Sequence, residues 1–232
     1  MPSVPSSPQC PLCFNGRTLP YHQDRRRSYC QCPVCRLVFV PPEQHLSPAQ
    51  EKARYDLHQN EVTDPGYRTF LSRVLHPVLS LVPPPASGLD FGSGPGPALA
   101  AMCREAGYAM DIYDPFYAPD PKVWERSYDL ITCTETVEHF RRPGRTLPRI
   151  WSLLRPGGWL AVMTKLAASP SAFAGWHYIR DETHVSFFSL DTFQWLADRL
   201  SAELRLYSRD IVLLHKKNGS ASQEMELPFG GA

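Results

Sequence analysis

The chain has 232 residues, 43% of them hydrophobic, which is enough for one medium domain with a packed core plus a small module. Its formal net charge of +1 excludes the strong basic field of many nucleic-acid-binding proteins and the acidic excess that would indicate a basic partner. The first ten residues contain no apolar run, and no apolar stretch reaches the length of about 18 residues that a membrane span needs. The sequence therefore predicts a cytoplasmic protein with no membrane segment.

Five of the seven cysteines lie within the first 35 residues. Two C-x-x-C pairs are separated by 18 residues, a spacing typical of a four-cysteine zinc ribbon. We predict a ribbon over residues 1–42 with one structural zinc, whose ligands are Cys10, Cys13, Cys32 and Cys35. Cys30 is an alternative to Cys32, with a poorer spacing. The run Arg25–Arg27 is expected to form a solvated turn.

Residues 43–64 are polar and helix-prone, and Asp64–Pro65 has the pattern of an N-cap followed by a first helical residue. Beyond it, apolar residues recur at the spacing of one buried helical face, and Pro83–Pro85 end that helix. From Gly88 onward, strand-like and helix-like segments alternate, which is typical of an α/β sheet. The sequence thus predicts a helical linker over 43–64, a main domain over 65–216 and a flexible tail over 217–232.

The strongest chemical signal is an apolar strand, Gly88–Phe91, that enters a loop with glycine at 92, 94 and 96. Glycines let the main chain approach a ligand closely, and the helix that follows offers free N–H groups. The next strand signal ends at Asp114, where a carboxylate can accept both hydroxyls of a ribose. A dinucleotide fingerprint would need glycine at 97, which is proline.

Together, the loop and Asp114 resemble the first motif and the ribose-binding acid of class I (Rossmann-like) S-adenosylmethionine-dependent methyltransferases. Two later motifs agree with this resemblance, namely Glu138–His139 after a buried strand and the Pro156–Gly158 turn into another strand. The resemblance implies S-adenosylmethionine as cofactor, held by Asp90, Gly92, Ser93, Gly94, Gly96, Asp114, Thr134 and Glu135.

The same resemblance implies a Rossmann-like α/β sheet, a lid formed by the 43–64 segment, and an acceptor pocket beside residues 176–188. We predict His139 and His184 as catalytic pocket residues; His177 is another candidate for a proton acceptor. Only 14 residues separate Asp114 from Asp129, so the family's third strand is expected to be short or absent. Phe116 or Tyr117 would then cover the adenine ring.

Three functions are compatible with these motifs. Neutral charge and an aromatic C-terminal segment favour methyl transfer to a small-molecule acceptor. A zinc ribbon that holds substrate would instead favour an RNA or protein methyltransferase, which predicts salt-sensitive RNA binding. A non-catalytic scaffold would bind S-adenosylmethionine without turnover. The sequence carries no signal for an oligomeric state.

Overall fold

A computed structural model of the chain describes residues 7–57 and 61–218. Its larger sheet has six strands, β4 (Ser87–Phe91), β5 (Ala109–Tyr113), β6 (Tyr128–Thr134), β7 (Leu154–Met163), β9 (Ala202–Ser208) and β10 (Ile211–Lys216). They are paired in the order β5-β4-β6-β7-β10-β9. The first four are parallel, whereas β10 is antiparallel to β7 and β9 is antiparallel to β10. The predicted α/β class is confirmed.

No strand forms between β5 and β6, and all of that segment is described. Asp114 and Ala118 instead close a short turn through two main-chain hydrogen bonds of 3.0 Å each, and a 3₁₀ turn follows over Pro121–Glu125. The prediction that the third strand is short or absent is confirmed. Residues 115–117 after β5 therefore form a loop, and this loop lines the same cavity as the glycine loop at the end of β4.

The α-helices of the described residues begin and end close to the sequence signals. They are α1 (Pro48–Tyr55), α2 (Pro65–Leu81), α3 (Ala98–Glu105), α4 (Pro143–Ser152), α5 (Pro170–Ala174) and α6 (Leu190–Leu200). Asp64 caps α2 as predicted, its side chain accepting from the Tyr67 N–H. A proline inside a helical segment predicts a late start or a kink, and Pro148 lies in the segment of α4; the late start is wrong, because the helix begins at Pro143 and contains Pro148.

A second, antiparallel sheet joins the N-terminal residues to a distant segment. Its strands are β1 (Leu19–Gln23), β2 (Ser28–Gln31), β3 (Val38–Phe39) and β8 (Ser186–Phe187), paired in that order. Leu12 and Leu37 belong to the same buried cluster as Ile150 of α4 and Phe188. The domain boundary at residue 42 stays a prediction, and both a sheet and an apolar core cross it.

Within the described residues, no helix is long and apolar enough to cross a membrane. Most of the predicted tail, residues 219–232, lies outside the described residues.

Candidate functional site

The glycine loop bends sharply at the carboxyl end of β4. Gly92 and Gly94 have φ values of 78° and 63°, a region that L-residues with side chains rarely adopt. A Cβ on Gly92 would lie 2.2 Å from Thr136 Cγ2, so this position has no room for a side chain. A Cβ on Gly94 would meet no atom within 4 Å. The main chain is therefore bare on that side of the loop.

A cavity of about 1130 Å³ opens beside this loop. Ligand sites commonly measure about 300–1,000 Å³, so the cavity has room for a nucleoside cofactor and a small acceptor together. Most of the predicted site residues line it, namely Gly92, Ser93, Gly94, Asp114, Thr134, Glu135, His139 and His184. Asp90 and Gly96 do not.

Asp114 closes one end of the cavity. Its Oδ2 accepts a hydrogen bond from the Gly94 N–H at 3.0 Å, and its Oδ1 accepts from the N–H groups of Phe116 and Tyr117 at 2.8 and 3.1 Å. A carboxylate offers about four lone-pair positions and three are used by these N–H groups, so Oδ2 keeps acceptor capacity for one further hydroxyl, not the two that the sequence predicts. Phe116 and Tyr117, predicted to cover an adenine ring, both line the cavity, and so does Trp124, which the sequence did not single out.

Two hydroxyl groups in the cavity wall lack partners. Ser93 Oγ and Thr134 Oγ1 are buried and form no hydrogen bond with any described residue. Buried polar atoms are nearly always hydrogen-bonded in native proteins, so unpaired ones point to a missing ligand. Both residues belong to the predicted cofactor-binding set.

Asp90 lies behind the loop rather than in the cavity. Its carboxylate accepts a hydrogen bond from Thr132 Oγ1 at 2.7 Å on the neighbouring strand β6. Burial raises the pKa of the Asp90 carboxyl to about 6. Asp90 therefore does not contact the cavity directly and acts on a ligand there only by shaping the glycine loop.

Two imidazoles meet in another part of the cavity wall, which we call the imidazole end, as distinct from the loop end beside Gly94 and Asp114. The ring centroids of His139 and His184 are 4.8 Å apart in an edge-to-face arrangement. His139 Nδ1 lies 3.2 Å from the Thr183 carbonyl oxygen, and His184 Nδ1 lies 2.8 Å from the Tyr178 carbonyl oxygen. Burial lowers the pKa of both imidazoles, that of His184 to about 3. Both rings are therefore neutral near pH 7.

Two glutamates lie beside these rings. Glu138 is completely buried; Thr164 Oγ1 donates to its Oε2 at 3.0 Å, and the Tyr178 hydroxyl donates to its Oε1. The Tyr178 hydroxyl also lies 3.3 Å from Glu135 Oε2. Burial raises the pKa of each carboxyl to about 7, with the neighbouring Glu138 contributing at Glu135. The sequence singled out Glu135 but not Tyr178.

The family model for a methyltransferase domain matches residues 65–205. The chain belongs to this methyltransferase family. It is 32% identical over 76 residues to the ubiquinone biosynthesis O-methyltransferase of Saccharophagus degradans, a match that covers 31% of the chain and 30% of that relative. The chain therefore spans about a third of the length of this curated relative.

Among solved structures, the methyltransferase resembles the 1,6-didemethyltoxoflavin-N1-methyltransferase of Burkholderia thailandensis. The TM-score is 0.50 at 18% identity, with 86% of this chain and 100% of that chain covered. That structure contains 1,6-didemethyltoxoflavin and S-adenosylhomocysteine. At this identity the likeness shows the Rossmann-like fold.

An arginine from the N-terminal part holds the imidazole end of the methyltransferase cavity in place. The Arg27 guanidinium, 6% exposed, donates to four carbonyl oxygens at 2.8 to 3.0 Å. They belong to Ile179, Asp181, Glu182 and His184. The predicted solvated turn is thus wrong for Arg27, whereas Arg26 is exposed. A charge run ordinarily indicates solvation, so no sequence signal indicates this contact.

Helix α1, inside the predicted lid segment, lies over the imidazole end. The Tyr55 ring packs edge-to-face on His139 with centroids 5.3 Å apart, and its hydroxyl donates to Glu51 Oε1 at 2.8 Å. Glu51 also forms an ion pair with Arg141. These contacts fix α1 against the loop that follows β6. The assignment of 43–64 as a lid stays a prediction.

The four predicted cysteine ligands form a compact group. Their Sγ atoms all lie within 4.8 Å of one another, with 3.5 Å between Cys10 and Cys35 and 3.3 Å between Cys13 and Cys32. These separations exceed the disulfide length of about 2.0 Å, and sulfurs bound to one tetrahedral zinc would be roughly 3.8 Å apart. Cys30 lies outside the group, on β2, so Cys32 is the fourth member.

Both C-x-x-C turns have the same local geometry. Phe14 and Arg36, which follow the second cysteine of each pair, have φ values of 59° and 62°. The N–H groups of these two residues donate to the carbonyl oxygens of Cys10 and Cys32, at 3.0 Å in both cases. Two equivalent turns thus present two thiols each toward one centre, as a four-sulfur metal site requires.

Proposed function

We propose that the protein transfers a methyl group from S-adenosylmethionine to a small-molecule acceptor. One observation supports this most strongly: Gly94, whose main chain is bare, lines one cavity together with Ser93 and Thr134, whose hydroxyl groups are buried and unpaired. A nucleoside would offer donors and acceptors to the main chain of this loop. Family membership makes S-adenosylmethionine the natural candidate.

In this proposal the cofactor lies along the glycine loop. Asp114 Oδ2 binds a ribose hydroxyl, and the main chain of Gly92, Ser93 and Gly94 lies against the cofactor while Asp90 and Gly96 shape the loop. Thr134 and Glu135, at the end of β6, contact the polar amino-acid portion. S-adenosylmethionine supplies an activated methyl group on its sulfonium, so the protein's task is alignment rather than covalent catalysis.

The acceptor lies toward His139 and His184. A carbonyl oxygen can only accept, so each Nδ1 bound to a carbonyl carries the ring proton, and each Nε2 is left with a lone pair. Such nitrogens would accept hydrogen bonds from an acceptor's hydroxyl or amine and orient its attacking lone pair. The two named relatives act in ubiquinone biosynthesis and on 1,6-didemethyltoxoflavin, which supports a small-molecule acceptor.

We also propose that Cys10, Cys13, Cys32 and Cys35 bind a structural zinc and that residues 1–42 form a zinc ribbon. The remaining divisions follow the sequence: a lid over 43–64, a catalytic domain over 65–216 and a tail over 217–232. Four sulfur ligands leave no open position for substrate, so the zinc would stabilise a module with little core of its own.

Replacing Asp114 tests the cofactor assignment. Asp114→Ala should weaken S-adenosylhomocysteine binding by roughly 1.5–3 kcal/mol, because hydrogen bonds to a charged acceptor are lost. The matched control is Asp111→Asn on the strand β5 that precedes Asp114. The Asp111 carboxylate pairs with Arg126 outside the cavity, so this variant should leave affinity unchanged. Isothermal titration calorimetry measures both. Equal affinities for the wild type and Asp114→Ala, in folded protein, would defeat the ribose assignment.

A further inference from the structure

We infer that Glu138, His139 and His184 form a binding site for a divalent transition-metal ion, separate from the cysteine group. One ligand atom from each residue, a carboxylate oxygen and two imidazole nitrogens, lies within 4.8 Å of the other two. Two imidazoles and one carboxylate are a donor set that zinc, iron, cobalt and manganese accept.

The imidazole orientations suit a metal. Each Nδ1 is held by a main-chain carbonyl oxygen, at 3.2 Å for His139 and 2.8 Å for His184, which fixes the proton on Nδ1. The Nε2 lone pair of each ring is then available as a ligand. In metal-binding histidines one ring nitrogen binds the metal, and the other ordinarily donates its N–H to a carbonyl or carboxylate, which orients the ring.

Glu138 is held in the same manner. Its two carboxylate oxygens receive hydrogen bonds from Thr164 and Tyr178, so its orientation is fixed before any ligand arrives. Outer-shell donors of this type typically orient carboxylate ligands. The carbonyl of Glu138 also accepts from the Val185 N–H at 2.9 Å, which joins the turn carrying the glutamate, Val137–His139, to the segment carrying His184.

No cationic side chain competes for the two carboxyls of this region. Glu138 is buried and Glu135 half-buried, and no lysine or arginine of the described chain forms an ion pair with either. Buried carboxylates are ordinarily paired, protonated or bound to a metal. A divalent ion between Glu138 and the two imidazoles would take the place of the proton that a buried carboxyl otherwise holds.

The site is open on one side only. His139 and His184 line the cavity, together with Glu135 and Asp181, whereas Glu138 lies behind them. A metal held by three protein ligands would keep at least one coordination position toward the acceptor space. An oxygen of the acceptor bound there would be polarised beside the transferred methyl group. This use of the ion rests on the proposed function; the binding of the ion does not.

Cobalt(II) titration of the untagged full-length chain tests the site. The cysteine group is first loaded with zinc, and cobalt binding is then followed by its visible absorption, because His/Glu and thiolate sites give distinct spectra. We expect one cobalt per chain in the wild type. Removing an outer-shell partner of a metal ligand typically lowers metal affinity about 10–100-fold. The double variant His139→Gln/His184→Gln removes two ligands themselves, so its cobalt affinity should fall by at least this much.

Two further variants keep the result interpretable. His177→Gln replaces an exposed histidine whose ring lies 2.7 Å from Lys165 Nζ, and it should bind cobalt like the wild type. Tyr178→Phe keeps the ring and removes only the hydroxyl, so it should weaken cobalt about 10–100-fold even if the double variant fails to fold. A wild type that binds no cobalt, or a folded double variant or Tyr178→Phe variant that binds it equally well, overturns the inference.

S-adenosylhomocysteine calorimetry on the same samples separates this inference from the proposed function. Cobalt binding without nucleoside binding would support the metal site and defeat the cofactor assignment. Nucleoside binding without cobalt binding would support the cofactor assignment and defeat the metal site.

Discussion

The two ends of the cavity are built in different ways. The loop end comes from one continuous stretch, β4, the glycine loop, α3 and β5, followed at once by Asp114. The imidazole end combines the turn after β6 and the 177–184 segment with Arg27, which lies more than 150 positions from the carbonyl groups it contacts. Local sequence therefore fixes the first end, and tertiary contacts fix the second. Variants at one end should therefore change properties that variants at the other end leave unchanged.

Removal of the cysteine ligands should have the largest effect. Structural zinc sites contribute about 10–16 kcal/mol to the folding of small modules, so Cys10→Ser/Cys32→Ser should lose one zinc per chain relative to the wild type. Because β3 pairs with β8, the 177–188 segment should also lose protection in amide hydrogen exchange. Elemental analysis and exchange mass spectrometry measure the two effects.

Cys30→Ser is the matched control, because Cys30 lies next to the knuckle and outside the cysteine group. It should keep its zinc. Wild-type protein that folds normally without metal would contradict the ribbon, and unchanged exchange at 177–188 would contradict the link between the two regions.

Arg27→Ala should come next, with a loss of at least about 3 kcal/mol in the free energy of unfolding, since four buried carbonyl groups lose a charged donor. Its neighbour supplies the control: Arg26 is exposed and lies 3.6 Å from Glu182 Oε1, so Arg26→Ala should change stability by less than about 1 kcal/mol. Urea unfolding checks both. Because Arg27 contacts only the imidazole end of the cavity, Arg27→Ala should leave nucleoside affinity intact. Equal unfolding free energies of Arg27→Ala and Arg26→Ala would refute the anchoring role of Arg27.

Asp90→Asn probes the loop end through pH. Burial raises the Asp90 pKa from 3.8 to about 6, so the folded state holds this proton more tightly than the unfolded state does. This term favours folding fully below about pH 3.8 and is lost as the pH rises through about 6, a change of about 3 kcal/mol at about 1.4 kcal/mol per pKa unit. Measured by urea unfolding, the stability at pH 7 relative to pH 4 should therefore be higher in Asp90→Asn than in the wild type, by up to about 3 kcal/mol. Identical pH dependence of the two proteins would show that Asp90 is not perturbed.

Gly94→Ala should give the smallest stability change, about 1–2 kcal/mol, because φ is 63° at this position and a Cβ is strained there. The new methyl group also projects from a loop that lines the cavity, so nucleoside affinity should fall. Gly175→Ala has equally open surroundings and an ordinary φ of −96°, and it should be neutral in both assays. A Gly94→Ala protein with full affinity would place the cofactor elsewhere.

The difference between the two ends also explains what the sequence could predict. Strand, glycine loop, helix and acid occur in order between residues 88 and 114, and each has a local signal, so the loop end agrees with its pattern nearly residue by residue. The helix Leu190–Leu200 and its Ser189 cap were likewise predictable, because capping and amphipathic spacing are local.

The second sheet was largely unpredictable for the opposite reason. Strands β1 and β2 are short and carry several polar residues, and β8 is only two residues long, so no alternation reveals them. Arg27 resembles any solvated arginine until four distant carbonyl groups surround it. Tyr178 and Glu138 likewise acquire their relationship only when the segment after β7 folds back onto the turn after β6.

The pairing of β3 with β8 has a consequence for synthesis on the ribosome. The N-terminal sheet needs a strand at residues 186–187, and Arg27 needs carbonyl groups at 179–184, so neither can be completed until most of the chain has emerged. The cysteine turns are made of neighbouring residues and can capture an ion much earlier. A metal bound to the nascent chain would then keep the first module compact until β8 is synthesised and completes the sheet.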